Sequence, residues 1–244
     1  MRQPRRKPFG NAGRSPKGGQ AKPVGVRIIA GQFRGRKLLY AVDPRTRPMK
    51  DRVRQALFNR LGPAVQGKVA IDLFAGTGAL GFEALSRGAA RAVLVEQHVP
   101  IARAIRRNAE SLGAQRLVQV VTADAFHWFR AIQAGRSPLP RSRPGDTTQE
   151  CDLARGPGPL GPEPWLVFCS PPYDLFVERA ERMLELIAGL VHAAPADSVL
   201  VVESDRRFEF CRLPNPEQWD VRAYPPAIVG IYWKSAPPDR TCNS

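Results

Sequence analysis

From Lys68 onward, short apolar runs alternate with stretches whose apolar residues recur every three to four positions. Val69 to Phe74, Ala92 to Glu96, Leu117 to Thr122, Trp165 to Cys169 and Ser198 to Glu203 read as strands, because each is short, nearly all apolar and rich in β-branched residues. Leu80 to Arg87, Val99 to Leu112, Ala125 to Ile132 and Phe176 to Val191 carry the helical spacing between them. Strands that stay apolar along their length, rather than alternating with polar residues, are those covered on both faces. The order strand, helix, strand therefore predicts an α/β fold built on a mostly parallel, doubly wound sheet. Trp219 to Tyr224 and Ala227 to Lys234, separated by Pro225-Pro226, predict a C-terminal antiparallel hairpin.

Ahead of this rhythm, Val26 to Leu39 has two apolar runs interrupted by Gly31 and Gly35 and interleaved with cations, which predicts a basic β-hairpin. Asp43 to Lys50 is a Pro-punctuated loop. Asp51 to Leu61 places Val53, Leu57, Phe58 and Leu61 on one helical face, with Arg52, Arg54 and Arg60 around it, and stops before Gly62-Pro63. Between Ala134 and Pro164, Gly, Pro, Ser, Thr and Arg dominate, a composition that cannot contribute a core and predicts a disordered surface insertion. The expected organisation is a disordered basic tail over 1–25, an N-terminal hairpin and helix over 26–66, a main domain over 67–236 with its insertion at 134–164, and a tail over 237–244.

Charge sharpens this division. The chain of 244 residues has 37 Lys and Arg against 22 Asp and Glu, a net charge of +15, and its first 54 residues alone hold sixteen cations against two acids. A cationic arm suits a polyanion, since each cation placed at a phosphate releases condensed counterions. Met1 to Lys22, without apolar spacing, fits a solubility tail as well as a binding arm. Arg27, Arg34, Arg36 and Lys37 of the hairpin, with Arg47 and Arg52 beyond it, are the candidate residues for binding such a polyanion. No run approaches the ~18 apolar residues of a membrane span, and the N-terminus lacks an apolar signal core, so a cytoplasmic chain is expected. Cys151, Cys169, Cys211 and Cys242 form no C-x-x-C pair, and His98, His127 and His192 have no metal-ligand spacing. Neither a disulfide framework nor a metal site is expected, and the histidines read as surface or packing residues.

The chemistry concentrates at the ends of the strands. Asp72-Leu73-Phe74-Ala75-Gly76-Thr77-Gly78-Ala79-Leu80-Gly81 joins the first strand to the first helix, and Gly76, Gly78 and Gly81 spell G-x-G-x-x-G. Glycines here let the backbone turn tightly and approach a ligand. Glu96, ending the second strand, is placed to accept from ribose hydroxyls. A dinucleotide site and another adenosine-cofactor site share these parts. Asp72 separates them, because a carboxylate beside a pyrophosphate is repelled, whereas beside an ammonium it is attracted. S-adenosylmethionine carries that ammonium. Asp72, Phe74, Ala75, Gly76, Thr77, Gly78, Glu96 and Asp124 are the candidate cofactor residues, Asp124 either accepting from the adenine amine or capping the helix that follows it.

After the fourth strand comes Ser170-Pro171-Pro172-Tyr173, where two prolines fix the backbone and Tyr173 offers a flat π face. These four are the candidate catalytic residues. The motif resembles the Asp/Asn-Pro-Pro-Tyr/Phe signature of class I methyltransferases that act on exocyclic amines of nucleobases. With the stretches Arg27 to Leu38, Arg47 to Asn59 and Asp72 to Gly88, the chain resembles the RsmD family of small-subunit ribosomal RNA guanine-N2 methyltransferases from about Arg27 to Lys234, the insertion excepted. The resemblance implies a Rossmann-like methyltransferase domain, S-adenosylmethionine as donor, and methylation of one guanine N2 in 16S rRNA; the expected partner is that RNA, free or in an assembling small subunit, and the expected state a monomer. It places Asp72 and the Gly76/Gly78 loop at the methionine part, Glu96 at the ribose and Asp124 at the adenine, with Arg47 to Asn59 flanking the site. Ser170 departs from the pattern: a hydroxyl accepts a hydrogen bond as Asp or Asn does, but it is neutral and shorter. A methyltransferase for a DNA or protein amine, and an RNA-binding assembly factor with weakened catalysis, are the alternative readings.

Overall fold

The computed structural model describes residues 25–39, 49–135 and 160–235. The strands are β1 (Val69–Asp72), β2 (Arg91–Val95), β3 (Val118–Val121), β4 (Trp165–Cys169), β5 (Val199–Asp205), β6 (Trp219–Tyr224) and β7 (Ala227–Trp233). They form one sheet in the order β3-β2-β1-β4-β5-β7-β6. The first five are parallel and β7 runs antiparallel to both β5 and β6, as the apolar runs and the closing hairpin predict. Ile71 of β1 lies opposite Val93 on one side and Val167 on the other. The chain thus builds outward from β1 to β3 and returns to β4, and the strand order reverses between β1 and β4. Open α/β sheets bind their ligands outside the carboxyl ends of the strands at such a reversal.

The helices are α1 (Asp51–Leu61), α2 (Ala79–Ser86), α3 (Val99–Ser111), α4 (Ala125–Gln133), α5 (Leu175–Glu178) and α6 (Ala180–Ala193). Period-two alternation divides the strand residues between two buried layers. Ala70, Leu94, Leu166 and Phe168 pack with α1, α2 and α3, while Ile71, Val93, Val167 and Cys169 pack with α4 and α6. The N-terminal segment shares the first layer: Val26, Ile28 and Leu38 are buried there, and the Phe58 ring of α1 lies 5.6 Å from that of Phe168.

Four expectations need correction. Val26 to Leu39 forms one isolated bridge, Arg27 opposite Lys37, rather than two strands. The reason is that its central donors are directed elsewhere: Ile29 and Ala30 N–H donate to the Glu83 carboxylate, Gln32 N–H to the Ser86 carbonyl and Phe33 N–H to the Ser86 hydroxyl. Gly31 makes this docking feasible. Its φ is +82°, and a Cβ there would sit 1.7 Å from the Ser86 carbonyl oxygen, so no other residue fits. Second, the helix predicted over Phe176 to Val191 is broken at Arg179 (φ −135°, ψ 38°) into α5 and α6. The short turn before the break follows the diproline corner, whereas α6 aligns Met183, Leu186, Ile187 and Leu190 on the sheet. Third, Arg54, read as one of the outer cations of α1, is 1% exposed and points inward to Glu83. Fourth, Leu160, inside the expected insertion, is 3% exposed and packed in the core, so the chain rejoins the fold before Pro164. The tail over 1–24, the loop at 40–48 and the greater part of the insertion lie outside the described residues.

Candidate active site

A cleft of about 420 Å³ opens at the carboxyl ends of β1 to β5. All twelve candidate cofactor and catalytic residues line it except Gly78, which caps the start of α2. The parallel register explains the convergence: Asp72 pairs Leu94 and Phe168, so the residues that follow β1, β2 and β4 emerge side by side.

Asp72 closes β1 and is 1% exposed. Its Oδ1 has no hydrogen-bond partner among the described residues. Burial pushes the carboxyl up to about 7, opposed by bonding to the Phe74 backbone and reinforced by the charge of Glu96. Gly76 and Gly78 have φ of +51° and +76°, which is why the turn after Asp72 requires glycine. Glu96 braces that turn. One carboxylate oxygen accepts from Gly76 N–H at 2.9 Å and the other from His98 N–H at 2.8 Å, leaving each oxygen a second lone pair. Asp124 caps α4 by accepting from His127 N–H at 3.0 Å and also faces the cleft.

On the opposite wall, Ser170 and Tyr173 converge on a residue the sequence analysis did not single out. The Ser170 hydroxyl donates to Glu203 Oε2, and the Tyr173 hydroxyl donates to Glu203 Oε1 at 2.8 Å. Glu203, in β5, is 4% exposed, and burial raises its ionisation above the usual carboxylate range. An acid following the apolar run Val199 to Val202 at the same sheet edge as Asp72 and Glu96 was the available signal. Arg179 and Arg207 also line the cleft, Arg207 bonded to Asp174 at 2.8 Å. His98, read as a surface or packing residue, belongs to the lining, and Met49 brings the N-terminal segment to the cleft.

Of the candidate RNA-binding residues, Arg27, Arg34, Arg36, Lys37 and Arg52 are exposed. Arg27 pairs with Asp51 at 3.3 Å and Arg36 donates to the Ser111 carbonyl. Arg47 lies outside the described residues.

The model of a family described as Conserved hypothetical protein 95 matches residues 26–137. Ribosomal RNA small subunit methyltransferase D of Escherichia coli K12 is 46% identical over 104 residues, 43% of this chain and 52% of that protein, so the chain spans about half the length of this relative. YlbH of Bacillus subtilis, assigned as an rRNA methyltransferase, is 37% identical over 184 residues, 75% of this chain and 85% of YlbH. The chain belongs to the RsmD family. The solved structure of YhhF from Escherichia coli, assigned as a methyltransferase, is 28% identical and covers 87% of this chain and 99% of its own, with a TM-score of 0.64. The RsmD-family fold is accordingly the Rossmann-like class I methyltransferase fold, and its seven strands are those described above.

Proposed function

We propose that the chain transfers a methyl group from S-adenosylmethionine to the exocyclic N2 amine of a guanine in small-subunit ribosomal RNA. The observation that carries this reading is the Asp72 carboxylate, which lines the cleft and keeps one buried oxygen without a hydrogen-bond partner among the described residues. A buried polar atom without a partner is rare and costly, and an ammonium is the ligand group that answers it, whereas a pyrophosphate is repelled. The donor fits this cleft: Asp72 would hold its ammonium, Glu96 the ribose hydroxyls through its remaining lone pairs, and Asp124 the adenine amine. When bound, the donor supplies an electrophilic methyl on a sulfonium.

The chain's own residues do the positioning. Tyr173 offers an aromatic face to a base turned out of its stack, which offsets part of the unstacking cost. Ser170 Oγ and the Pro171 carbonyl receive the amine hydrogens and aim the nitrogen. Holding nucleophile and electrophile in line provides much of the acceleration in such a transfer. The names of the relatives, both assigned to rRNA methylation, support RNA as the acceptor, and the exposed cations of the N-terminal segment supply phosphate contacts that orient it without reading its sequence. The expected partner is 16S rRNA or the assembling small subunit in the cytoplasm, met by a monomer.

Labelled S-adenosylmethionine offered in parallel with small-subunit particles, naked rRNA, DNA and protein tests the acceptor. Label entering rRNA or the particle supports the reading; label entering only DNA or protein assigns the chain to another acceptor, and RNA binding without transfer assigns it to assembly. Replacing Arg34 and Lys37 by Gln is expected to lower the slope of log affinity for RNA against log salt by about one per residue. Donor affinity should stay unchanged, and an unaltered slope would remove these two cations from the interface.

A further inference from the structure

Ser170 is where this chain departs from the carboxylate or amide of the related motif, and Glu203 is the buried acid that the proposed mechanism leaves without a task. The two are joined. Ser170 directs its single hydroxyl hydrogen at Glu203 Oε2 while Tyr173 directs its own at Oε1. A hydroxyl so committed has only lone pairs to present to the cleft. The charge that Asp would carry at position 170 is thus present, set back by one hydrogen bond, and a hydrogen bond backed by an ionised group is roughly twice as strong as a neutral one.

The surroundings of Glu203 suit this task. It is 4% exposed and lines the cleft. The two interactions that favour its ionised form are the Ser170 and Tyr173 hydroxyls, and among the described residues no cation forms an ion pair with it. Val229, opposite it on β7, is apolar. The other charged or titratable groups lining the same cleft are Asp72, Glu96, His98, Asp124, Asp174, Arg179 and Arg207, the last already bonded to Asp174 and Asp205.

We propose that Glu203 is the positioning residue and final proton acceptor for the target amine, acting through Ser170. This rests on the reading of the cleft as a nucleobase-amine methyltransferase site. Ser170 Oγ accepts an N–H from the amine before transfer. As the N–C bond forms and the C–S bond breaks, its electron pair staying on sulfur, the nitrogen becomes cationic and its proton acidic. That proton passes to Ser170 Oγ while the hydroxyl hydrogen passes to Glu203 Oε2. The serine ends as it began, the methylated amine is neutral, and Glu203 is a carboxylic acid that later returns its proton to water.

The test compares the parent with Glu203→Gln, Tyr173→Phe and the double variant Glu203→Gln/Ser170→Asp. In Glu203→Gln, kcat is expected to fall about 100-fold or more, while RNA KM, donor Kd by calorimetry and Tm of the ligand-free protein stay close to the parent's. Adding Ser170→Asp returns a carboxylate beside the amine and should recover about tenfold or more of the lost kcat. Tyr173→Phe keeps the ring but removes a bond that favours ionised Glu203. The acid limb of kcat, measured at saturating donor so that Asp72 is held ionised by its partner, should therefore move to higher pH. The carboxyl stretch of Glu203, titrated by infrared spectroscopy in the ligand-free protein, should move in the same direction.

A Glu203→Gln variant with kcat within about threefold of an active parent, or a Tyr173→Phe variant with an unmoved acid limb, overturns the inference and leaves the functional reading standing. A parent that transfers no methyl group to RNA overturns both.

Discussion

Replacing Asp72 by Asn is expected to make the ligand-free protein more stable and, at the same time, unable to hold its donor. Burial pushes the carboxyl up to about 7 in the folded chain, against 3.8 for an ordinary aspartate. Well below pH 3.8 it is protonated in both states and neutral to stability. As pH rises from there towards 7, the unfolded chain has released its proton and the folded chain has not, so folding is progressively penalised. Above 7 the penalty is complete, on the order of 4 kcal/mol. Asn keeps the shape without the charge, so the Tm of the variant should exceed that of the parent by several degrees at pH 8, and the difference should shrink steadily as the pH falls towards 4.

The same charge is what an ammonium requires. Removing it from a buried pair costs about 2 to 5 kcal/mol, so donor Kd should rise about 30-fold or more. In the parent, affinity should increase with pH up to about 7 and level off above it, with a proton released on binding below that point. Calorimetry in buffers of different ionisation enthalpy reads the proton directly. An Asp72→Asn variant that binds the donor as the parent does would remove the carboxylate from the ammonium site.

The second large effect is expected where the N-terminal segment docks on α2. Glu83 of α2 is fully buried. It accepts from Ile29 N–H at 2.7 Å and Ala30 N–H at 3.1 Å, and it faces Arg87 at 2.8 Å and Arg54 at 3.8 Å. Glu83→Ala leaves two backbone donors unbonded and the Arg54 guanidinium, already disfavoured by burial, facing a cavity. Breaking a buried pair from one side costs about 3 to 5 kcal/mol, and in a chain of this size each kcal/mol moves Tm by about 2 to 4 °C. A loss of roughly 6 to 20 °C is expected on these grounds, together with rapid hydrogen exchange at the amides of Ile29 and Ala30. A variant that melts within about 2 °C of the parent, with both amides still protected, would mean that the N-terminal segment is held by its apolar side chains alone.

These two sites differ in how far the sequence revealed them. Asp72, Glu96, Asp124 and Ser170 were legible because each stands where an apolar run ends and a glycine, proline or helix start follows, and in a parallel sheet those positions share one edge. Glu203 stands two residues before β5 ends, with Ser204 and Asp205 still paired in the strand. No turn residue marks it, and its task depends on hydroxyls brought alongside by a different strand. Arg54 was hidden for a related reason. A cation beside the apolar stripe of an amphipathic helix reads as solvated, and only the docking of Val26 to Leu38 over α1 and α2 makes its position interior. The same docking takes the amide hydrogens that a β-hairpin needs, which is why the N-terminal segment has hairpin spacing but a single bridge. The break at Arg179 is likewise tertiary in origin, since the apolar spacing of 176–191 runs through it without interruption.

The most direct measurement of the central claim is nucleoside analysis of small-subunit rRNA incubated with the protein and isotope-labelled S-adenosylmethionine. A cleft that sets a sulfonium methyl against an amine aimed by Ser170 and the Pro171 carbonyl predicts that the label is recovered as N2-methylguanosine at one position. Label recovered on a ribose oxygen or a base carbon, or none recovered from an RNA that the protein binds, would contradict it.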